Sequence, residues 1–405
     1  MFQTHPLDIP ELRAIISSNL GLKDLASCVR VSQDWKDSFT PPLYKSIVLS
    51  KHGPSMEAIE RNKHLMKSLK VQRFITESQP STSAEYKVIS SVLANSSLVT
   101  LNLSSNSIGD SGVQVLSEAL KANSTLITLS LCGNSIEDNG AEALAEALRI
   151  NSALINLDLS NNSIGNDGAQ ALSEALKTNS TLITLNLWDN WVEVNGAQGL
   201  AEALKMNSTL ITLDLGDNLI ENSGTQALSE ALKTNSSLIT LNLGNNLIGE
   251  NGARALTAAL ETNSSLTTLN LSNNSIKDNG TRALAEALKK NSTLKTLDLG
   301  HNRIRHNVTR ALAEALRINS ALITLNLGGN SIGDNGTEAL ADTLKANSTL
   351  TTFILRNNSI GDNGAKALAD ALMINSTLIT LDLSSNSIGD YGAQALAETR
   401  KANPI

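Results

Sequence analysis

From Leu98 to Ile405 the chain is written in eleven consecutive blocks of 28 residues, with no insertion or deletion. Each block opens on one frame: Leu98, Leu101, Leu103, Asn106 and Ile108 in the first, Leu126, Leu129, Leu131, Asn134 and Ile136 in the second. The same Asn returns at Asn162, Asn190, Asn218, Asn246, Asn274, Asn302, Asn330, Asn358 and Asn386. A unit this short cannot bury its apolar face alone, so the period implies a stack in which each repeat is covered by its neighbours. It also supplies an internal control, because a residue that breaks an eleven-fold pattern stands out.

The bulk numbers fit such a stack. At 405 residues the chain is long for one compact core, whereas a stacked core grows with the chain. Aromatics are 2% of residues against 41% apolar, which suits thin layers of Leu, Ile and Ala. The net charge of -7 is unevenly held: residues 1–97 carry 12 basic and 9 acidic side chains, the repeats 20 and 30. An acidic repeat array argues against nucleic acid as a partner. No apolar run of signal-peptide type follows Met1 and none is long enough to span a bilayer, so a cytoplasmic or nuclear, membrane-free location is expected. Two cysteines, Cys28 and Cys132, fit a reducing compartment.

Within one block, Leu154, Leu157 and Leu159 alternate as a short strand with leucines inward, leaving Asn156 and Asp158 outward. Asn162 begins the turn, where a buried amide can satisfy backbone groups of adjacent turns. Gly168 is expected to relax the backbone before a helix capped by Asn166 or Asp167. Ala169, Leu172, Ser173 and Leu176 then form the inward stripe, with Glu174 and Lys177 on the wet side. Nine Asn-Ser-Ser/Thr triplets (Asn95, Asn123, Asn179, Asn207, Asn235, Asn263, Asn291, Asn347, Asn375) match glycosylation acceptors, or else mark where a helix stops in a left-handed residue that Asn tolerates.

This frame resembles the leucine-rich repeats of the ribonuclease-inhibitor-like class. The resemblance covers residues 98–405, and ten of the eleven blocks keep the Gly at the phase of Gly112. It implies an α/β horseshoe solenoid with a parallel sheet inside and helices outside, a scaffold used for many unrelated partners. Upstream, 69–75 reads as a degenerate strand, Ser55 to Lys67 as an earlier helix, and Val88 and Val92 as a helix phase, so 51–97 is a linker with degenerate capping repeats. At the other end Thr399 and Arg400 replace Ala-Leu, as a polar terminal layer requires.

Residues 1–50 differ. Pro10 after Asp8 and Asp24 after Gly21 read as helix starts, with Val29, Val31 and Trp35 as apolar anchors of a small all-α segment. The order Ile9-Pro10-Glu11-Leu12, Asn19-Leu20, Asp24-Leu25, Val31-Ser32-Gln33-Asp34-Trp35 and Leu43-Tyr44 resembles an F-box over about residues 5–48, with its opening one residue short. The resemblance implies docking of Pro10, Leu12, Ile15, Ile16, Leu20 and Leu25 on the adaptor subunit of a cullin–RING ubiquitin ligase. The alternative is a helical cap over the first repeat layer.

Reading down the columns locates the departures. The residue after the repeated Asn is Ser in seven blocks but Trp191, Leu219 and Leu247 in blocks 4 to 6, and Arg303 in block 8. Trp188 stands at a strand end between Ser160 and Gly216, and Val194 replaces a polar residue. These five apolar residues are expected to form an exposed patch, either a protein interface or drift among duplicated units. Nine of the twenty basic residues of the repeats fall between Lys277 and Arg317, and block 8 carries Val308 in place of Gly, which is expected to distort the turn. Arg303, Arg305 and His306, with Arg356 further on, suit an acidic or phosphorylated segment; the alternative is a solvated basic stretch.

No phosphate-binding loop, zinc-protease pair or serine-nucleophile motif occurs, so neither catalysis by the chain's own residues nor a metal or cofactor is expected. Aspartates such as Asp158, Asp214, Asp298 and Asp382 lie on an open sheet without a pocket to shift their pKa values. The sequence therefore reads as a monomeric substrate-recognition subunit of a ubiquitin ligase. The rivals are a scaffold or sensor without ligase coupling, and a small-GTPase regulator of the Ran GTPase-activating type, which shares this repeat class.

Overall fold

The structure, a computed structural model, describes residues 45–49, 56–71, 89–94 and 97–402. The adaptor-docking set Pro10, Leu12, Ile15, Ile16, Leu20 and Leu25 lies outside the described residues, as does Asn95. The chain divides into two compact units, Met1–Asn162 and Ser163–Ile405.

In the first unit five parallel strands pair in chain order: β1 (Ser46–Leu49), β2 (Ser68–Val71), β3 (Thr100–Asn102), β4 (Thr128–Ser130) and β5 (Asn156–Asp158). Helices Met56–Asn62, Gly109–Ala122 and Asp138–Leu148 lie between them, since parallel neighbours need a crossover. Among the described residues the sheet thus begins at Ser46, two strands ahead of the first regular block. β2 falls on the expected degenerate strand and buries Leu69 and Val71, while Ile59 and Val92 fill the helix layer.

In the second unit β6 (Thr184–Asn186), β7 (Thr212–Asp214), β8 (Thr240–Asn242), β9 (Thr268–Asn270), β10 (Thr296–Asp298), β11 (Thr324–Asn326), β12 (Thr352–Ile354) and β13 (Thr380–Asp382) pair in order. The register advances by one block at each step: Leu185 faces Leu213, and Leu213 faces Leu241. Helices from Asn166–Leu176 to Asp390–Ala402 alternate with the strands and pack each against the next. Each unit is a leucine-rich-repeat solenoid of strand–helix repeats, 28 residues long from β3 onward, whereas Ser46 pairs with Ser68 and Ser68 with Thr100 in the first unit. Its core is the leucines of the strands, the buried turn Ile of most repeats (Val192 in the fourth) and the Ala/Leu stripe of the helices, with Phe353 in a leucine position.

Two asparagine ladders tie the repeats together. Asn218 Nδ2 donates to the carbonyls of Leu187 at 2.9 Å, Leu215 at 3.2 Å and Gly216 at 3.0 Å, and its Oδ1 accepts the N–H of Val192 at 2.9 Å. The second ladder is the column read as helix-stopping asparagines. Asn235 Nδ2 donates to the carbonyls of Leu204 at 2.8 Å and Asn207 at 3.1 Å, and its Oδ1 accepts the N–H of Ser237 at 3.1 Å and Leu238 at 2.8 Å. The backbone here is extended, φ −79° and ψ 132° at Asn123, so left-handed tolerance is not the reason for this Asn. Asn123, Asn179, Asn207, Asn235, Asn263, Asn291, Asn347 and Asn375 are all buried, their amides turned into the fold.

The left-handed residue common to every block lies elsewhere, one position before the first ladder. All eleven blocks have positive φ there, among them Asn161, Asp189, His301 and Gly329. The column is rich in Asn, Asp and Gly, the residues that tolerate this region.

Helix capping also crosses between repeats. Asn166 does not cap its own helix; its Oδ1 accepts the N–H of Glu193 at 3.2 Å and Gly196 at 2.7 Å, the first turn of the following helix. Asn222 does the same for Gly249 and Gly252, and Asp334 for Gly361 and Gly364. The repeated Gly is needed for space rather than conformation. A Cβ on Gly252 would stand 2.7 Å from Ile248 Cγ2 and 3.0 Å from Asn222 Oδ1.

Val308, which replaces that Gly, does not shift its helix: His306–Ile318 starts at the same phase as Asp138–Leu148 and Glu250–Leu260. What changes is the cap, since the Val308 N–H bonds the Arg305 carbonyl at 3.2 Å. At the far end Thr399 turns inward, its hydroxyl on the Ala395 carbonyl at 3.1 Å, rather than joining a polar face.

Candidate functional site

The departures singled out above all lie in the second unit, on the turns and helix starts that follow strands β6, β7, β8, β10 and β12. Trp191, Leu219 and Leu247 are 64%, 38% and 57% exposed, where other repeats present Ser. Backbone hydrogen bonds set their order. The Leu219 N–H donates to the Val192 carbonyl at 2.9 Å, beside Trp191, and the Glu221 N–H donates to the Asn246 carbonyl at 2.9 Å, beside Leu247. The three side chains therefore stand on adjacent turns.

Trp188 is 38% exposed and leans toward the next repeat. A Cβ on Gly216 would stand 2.8 Å from Trp188 Cδ1, so the ring rests where only glycine leaves room. Val194 is half-buried at the head of Val194–Met206, at the phase where Asn166, Asn222 and Asp334 cap the next helix. It exchanges a cap for apolar surface.

The basic residues separate into paired and unpaired. Lys289 bonds Glu286 at 2.7 Å and Lys290 bonds Glu261 at 3.0 Å, so these helix-end lysines are part of the solvated helix surface. Arg305 is held by Asp278, Nη2 to carboxylate at 2.7 Å and Nε at 3.0 Å, while the same aspartate accepts the Arg305 N–H at 3.1 Å. Arg303 has no such partner among the described residues and sits on left-handed backbone at φ 59°.

Between the turns of repeats 7 and 8 lies an open depression of about 740 Å³, and Arg303 and Arg305 line it together with Lys277, Arg282 and His301. His306 and Arg356, two of the sequence-derived candidates, do not line it. His306 heads its helix in solvent, and the Arg356 stem lies over Gly328. Arg356 acts on Asp382 only through its charge: the Asp382 carboxyl is held below its usual pKa mainly by the Ser384 hydroxyl and N–H, with Arg356 a lesser cause.

Lys277, Arg282 and His301 belong to the same depression; Lys277 and Arg282 fall in the basic stretch read along the chain, but none of the three was among its candidate site residues. One column would have shown the first. At the phase of Lys277 and Arg305 every other block has Gly or Glu, so two cations occur there in adjacent repeats and nowhere else. Among the described residues no cluster of His, Cys, Asp and Glu is arranged to hold a metal ion, and no helix is long and apolar enough to cross a membrane.

A repeat array with its departures gathered on one edge defines a leucine-rich-repeat protein-interaction domain. The chain belongs to the NLRC3-type leucine-rich-repeat family: the family described as the NLRC3 LRR domain matches residues 62–405. Among curated proteins none matches it. Two of the solved structures it resembles are actin-binding site 2 of leiomodin-1 and an internalin, InlF, from Listeria monocytogenes. The first is 24% identical, with 38% of this chain and 88% of that one covered at a TM-score of 0.33. The second is 17% identical, with 96% of this chain and 93% of that one covered at a TM-score of 0.44.

Proposed function

We propose that this chain is a target-recognition subunit, holding a partner protein on the turn edge of repeats 4 to 8 and delivering it to a cullin–RING ubiquitin ligase. The observation that carries the recognition half is the run Trp191, Leu219 and Leu247, exposed on three adjacent turns with Trp188 alongside. Tryptophan in such a setting is the side chain most often found at the energetic centre of protein interfaces.

The ligase half rests on the order of residues 5–48, with Pro10, Leu12, Ile15, Ile16, Leu20 and Leu25 as the adaptor contacts. The chain itself supplies no reacting group in this reading. It raises the local concentration of a target beside a transferring partner.

Affinity purification of the intact chain, of Pro10→Ala/Leu12→Ala and of a form lacking residues 1–50 tests the coupling. Cullin-complex components are expected with the intact chain and not with the other two; their absence from all three ends the ligase reading. A second reading, an interaction scaffold or sensor without ligase coupling, is favoured by the family match, which begins at residue 62 and leaves the adaptor segment out. Under it the Trp-dependent partner is retained and the ligase components never appear.

A further inference from the structure

The turns of repeats 7 and 8 concentrate positive charge in a chain whose repeats are acidic, and most of that charge is uncommitted. Of the two carboxylates at the depression, Asp278 is engaged by Arg305 and Glu250 accepts the Asn279 amide at 2.9 Å. Lys277, Arg282 and Arg303, all exposed, have no carboxylate partner among the described residues.

Their placement is built into the repeat. The Lys277 N–H donates to the Asn302 carbonyl at 3.0 Å, which brings Lys277 directly beside Arg303 on the next turn. Both are on left-handed backbone, φ 52° and 59°, Lys277 at the first residue of its helix and Arg303 on the turn that follows β10. Arg282 comes from the helix Lys277–Lys290 and belongs to a row, Arg254, Arg282 and Arg310, on three successive helices. The helix behind the site, His306–Ile318, has no acid in its first turn.

We propose that this depression binds a phosphoserine or phosphothreonine in the partner held by the apolar edge. The inference rests on the recognition reading above and deepens it. A phosphate monoester carries nearly two charges and three strong acceptors at neutral pH, which matches two uncommitted guanidinium groups and an ammonium better than a single carboxylate does. Leu247 is two repeats away from Arg303, about 10 Å at the strand spacing. An extended segment covers that span in about three residues. The recognised motif is therefore an apolar residue seated by Leu247 and a phosphorylated residue about three positions from it, in one chain direction or the other.

The test uses the full chain and four fluorescent peptides: Gly-Leu-Gly-Gly-phosphoserine-Gly, the same peptide in reversed order, and the two unphosphorylated forms. Fluorescence anisotropy is expected to show one phosphorylated peptide binding at least about ten-fold tighter than its unphosphorylated form, the scale of one charge-assisted contact set. Lys277→Ala/Arg303→Ala is expected to abolish that preference with an unchanged thermal melt. Trp188→Ala/Trp191→Ala is expected to keep it.

Inorganic phosphate as competitor separates sources: weak competition fits a peptide-borne phosphate, whereas displacement at matched concentration shows a site for free anions and overturns the motif. Equal binding of phosphorylated and unphosphorylated peptides, no binding of either, or a preference that survives Lys277→Ala/Arg303→Ala overturns the proposal. None of these results touches Trp-dependent capture of a partner, so the recognition reading fails or stands separately.

Discussion

Asp278 holds Arg305 from two sides, accepting its backbone N–H at 3.1 Å and pairing with its guanidinium at 2.7 Å, across the boundary between two repeats. Elsewhere the second acceptor role of this carboxylate goes to the N–H of the repeated Gly, as at Gly361 and Gly364 with Asp334. Val308 occupies the Gly position in repeat 8, and Arg305 receives the contact instead.

Asp278→Ala is therefore expected to loosen the start of the following helix rather than its own. The cost is about 1 kcal/mol, as for loss of an N-cap. Amide exchange followed by mass spectrometry should accelerate at His306–Ile318 and leave the first turn of Lys277–Lys290 unchanged. Acceleration in the mutated helix alone would show that the cap is local after all.

Asn302 is fully buried and donates to the carbonyls of Leu271 at 2.8 Å and Gly300 at 3.0 Å. Those carbonyls keep a second donor each, Asn274 Nδ2 on Leu271 at 3.0 Å and the Asn273 N–H on Gly300 at 2.8 Å. Asn302→Ala instead orphans the Ile276 N–H, which Asn302 Oδ1 accepts at 3.3 Å, and a buried polar group so orphaned costs about 1–3 kcal/mol. Asn235→Ala, in the second ladder, is expected to cost a similar amount. Urea denaturation should show a lower midpoint for both; an unchanged midpoint for Asn235→Ala would return that column to a mere helix stop.

The Asp382 carboxyl titrates below its usual range, chiefly because the Ser384 hydroxyl donates to it at 2.6 Å. A depressed folded-state pKa stabilises the fold above the unfolded value, and that contribution is lost as pH falls through the folded one. Ser384→Ala is expected to raise the Asp382 midpoint toward the ordinary carboxylate value, and Arg356→Ala to raise it less. Carbon-detected NMR of the side-chain carboxyl reads both shifts, and a larger effect from Arg356→Ala would reverse the assigned order of causes.

Much of this was legible in the sequence. Leu101, Leu129 and Leu157 give the strand register, Asn218 and its column the buried ladder, and the column after it the exposed Trp191, Leu219 and Leu247. The rest was hidden because its hydrogen bonds join residues about one block apart. Asn166 caps a helix 27 to 30 residues downstream, and Asn235 reaches back to Asn207, relations that a reading along the chain assigns to the nearest helix end. The depression was hidden for the same reason: Lys277 and Arg303 are 26 residues apart in sequence and joined by a backbone hydrogen bond from Lys277 to Asn302.

Gly216→Ala tests the seat of Trp188. The added methyl would stand 2.8 Å from Trp188 Cδ1 and 2.8 Å from Asn242 Nδ2, so the ring must move off the neighbouring repeat. The indole emission of this variant is expected to shift to longer wavelength, with a thermal midpoint close to that of the unmodified chain. Emission that does not change would mean that the ring does not rest there.

The claim that repeats 4 to 6 form a protein-binding edge is tested most directly by quantitative affinity purification with three matched baits. These are the intact chain, Trp188→Ala/Trp191→Ala, and Met206→Ala, which truncates an equally exposed apolar residue at the end of a helix. Partners retained by the intact chain should survive Met206→Ala and be lost from the tryptophan variant, a loss of about 2 kcal/mol or more for each hot-spot side chain. If the folded tryptophan variant retains the same partners at the same yield, the edge is not where this protein binds.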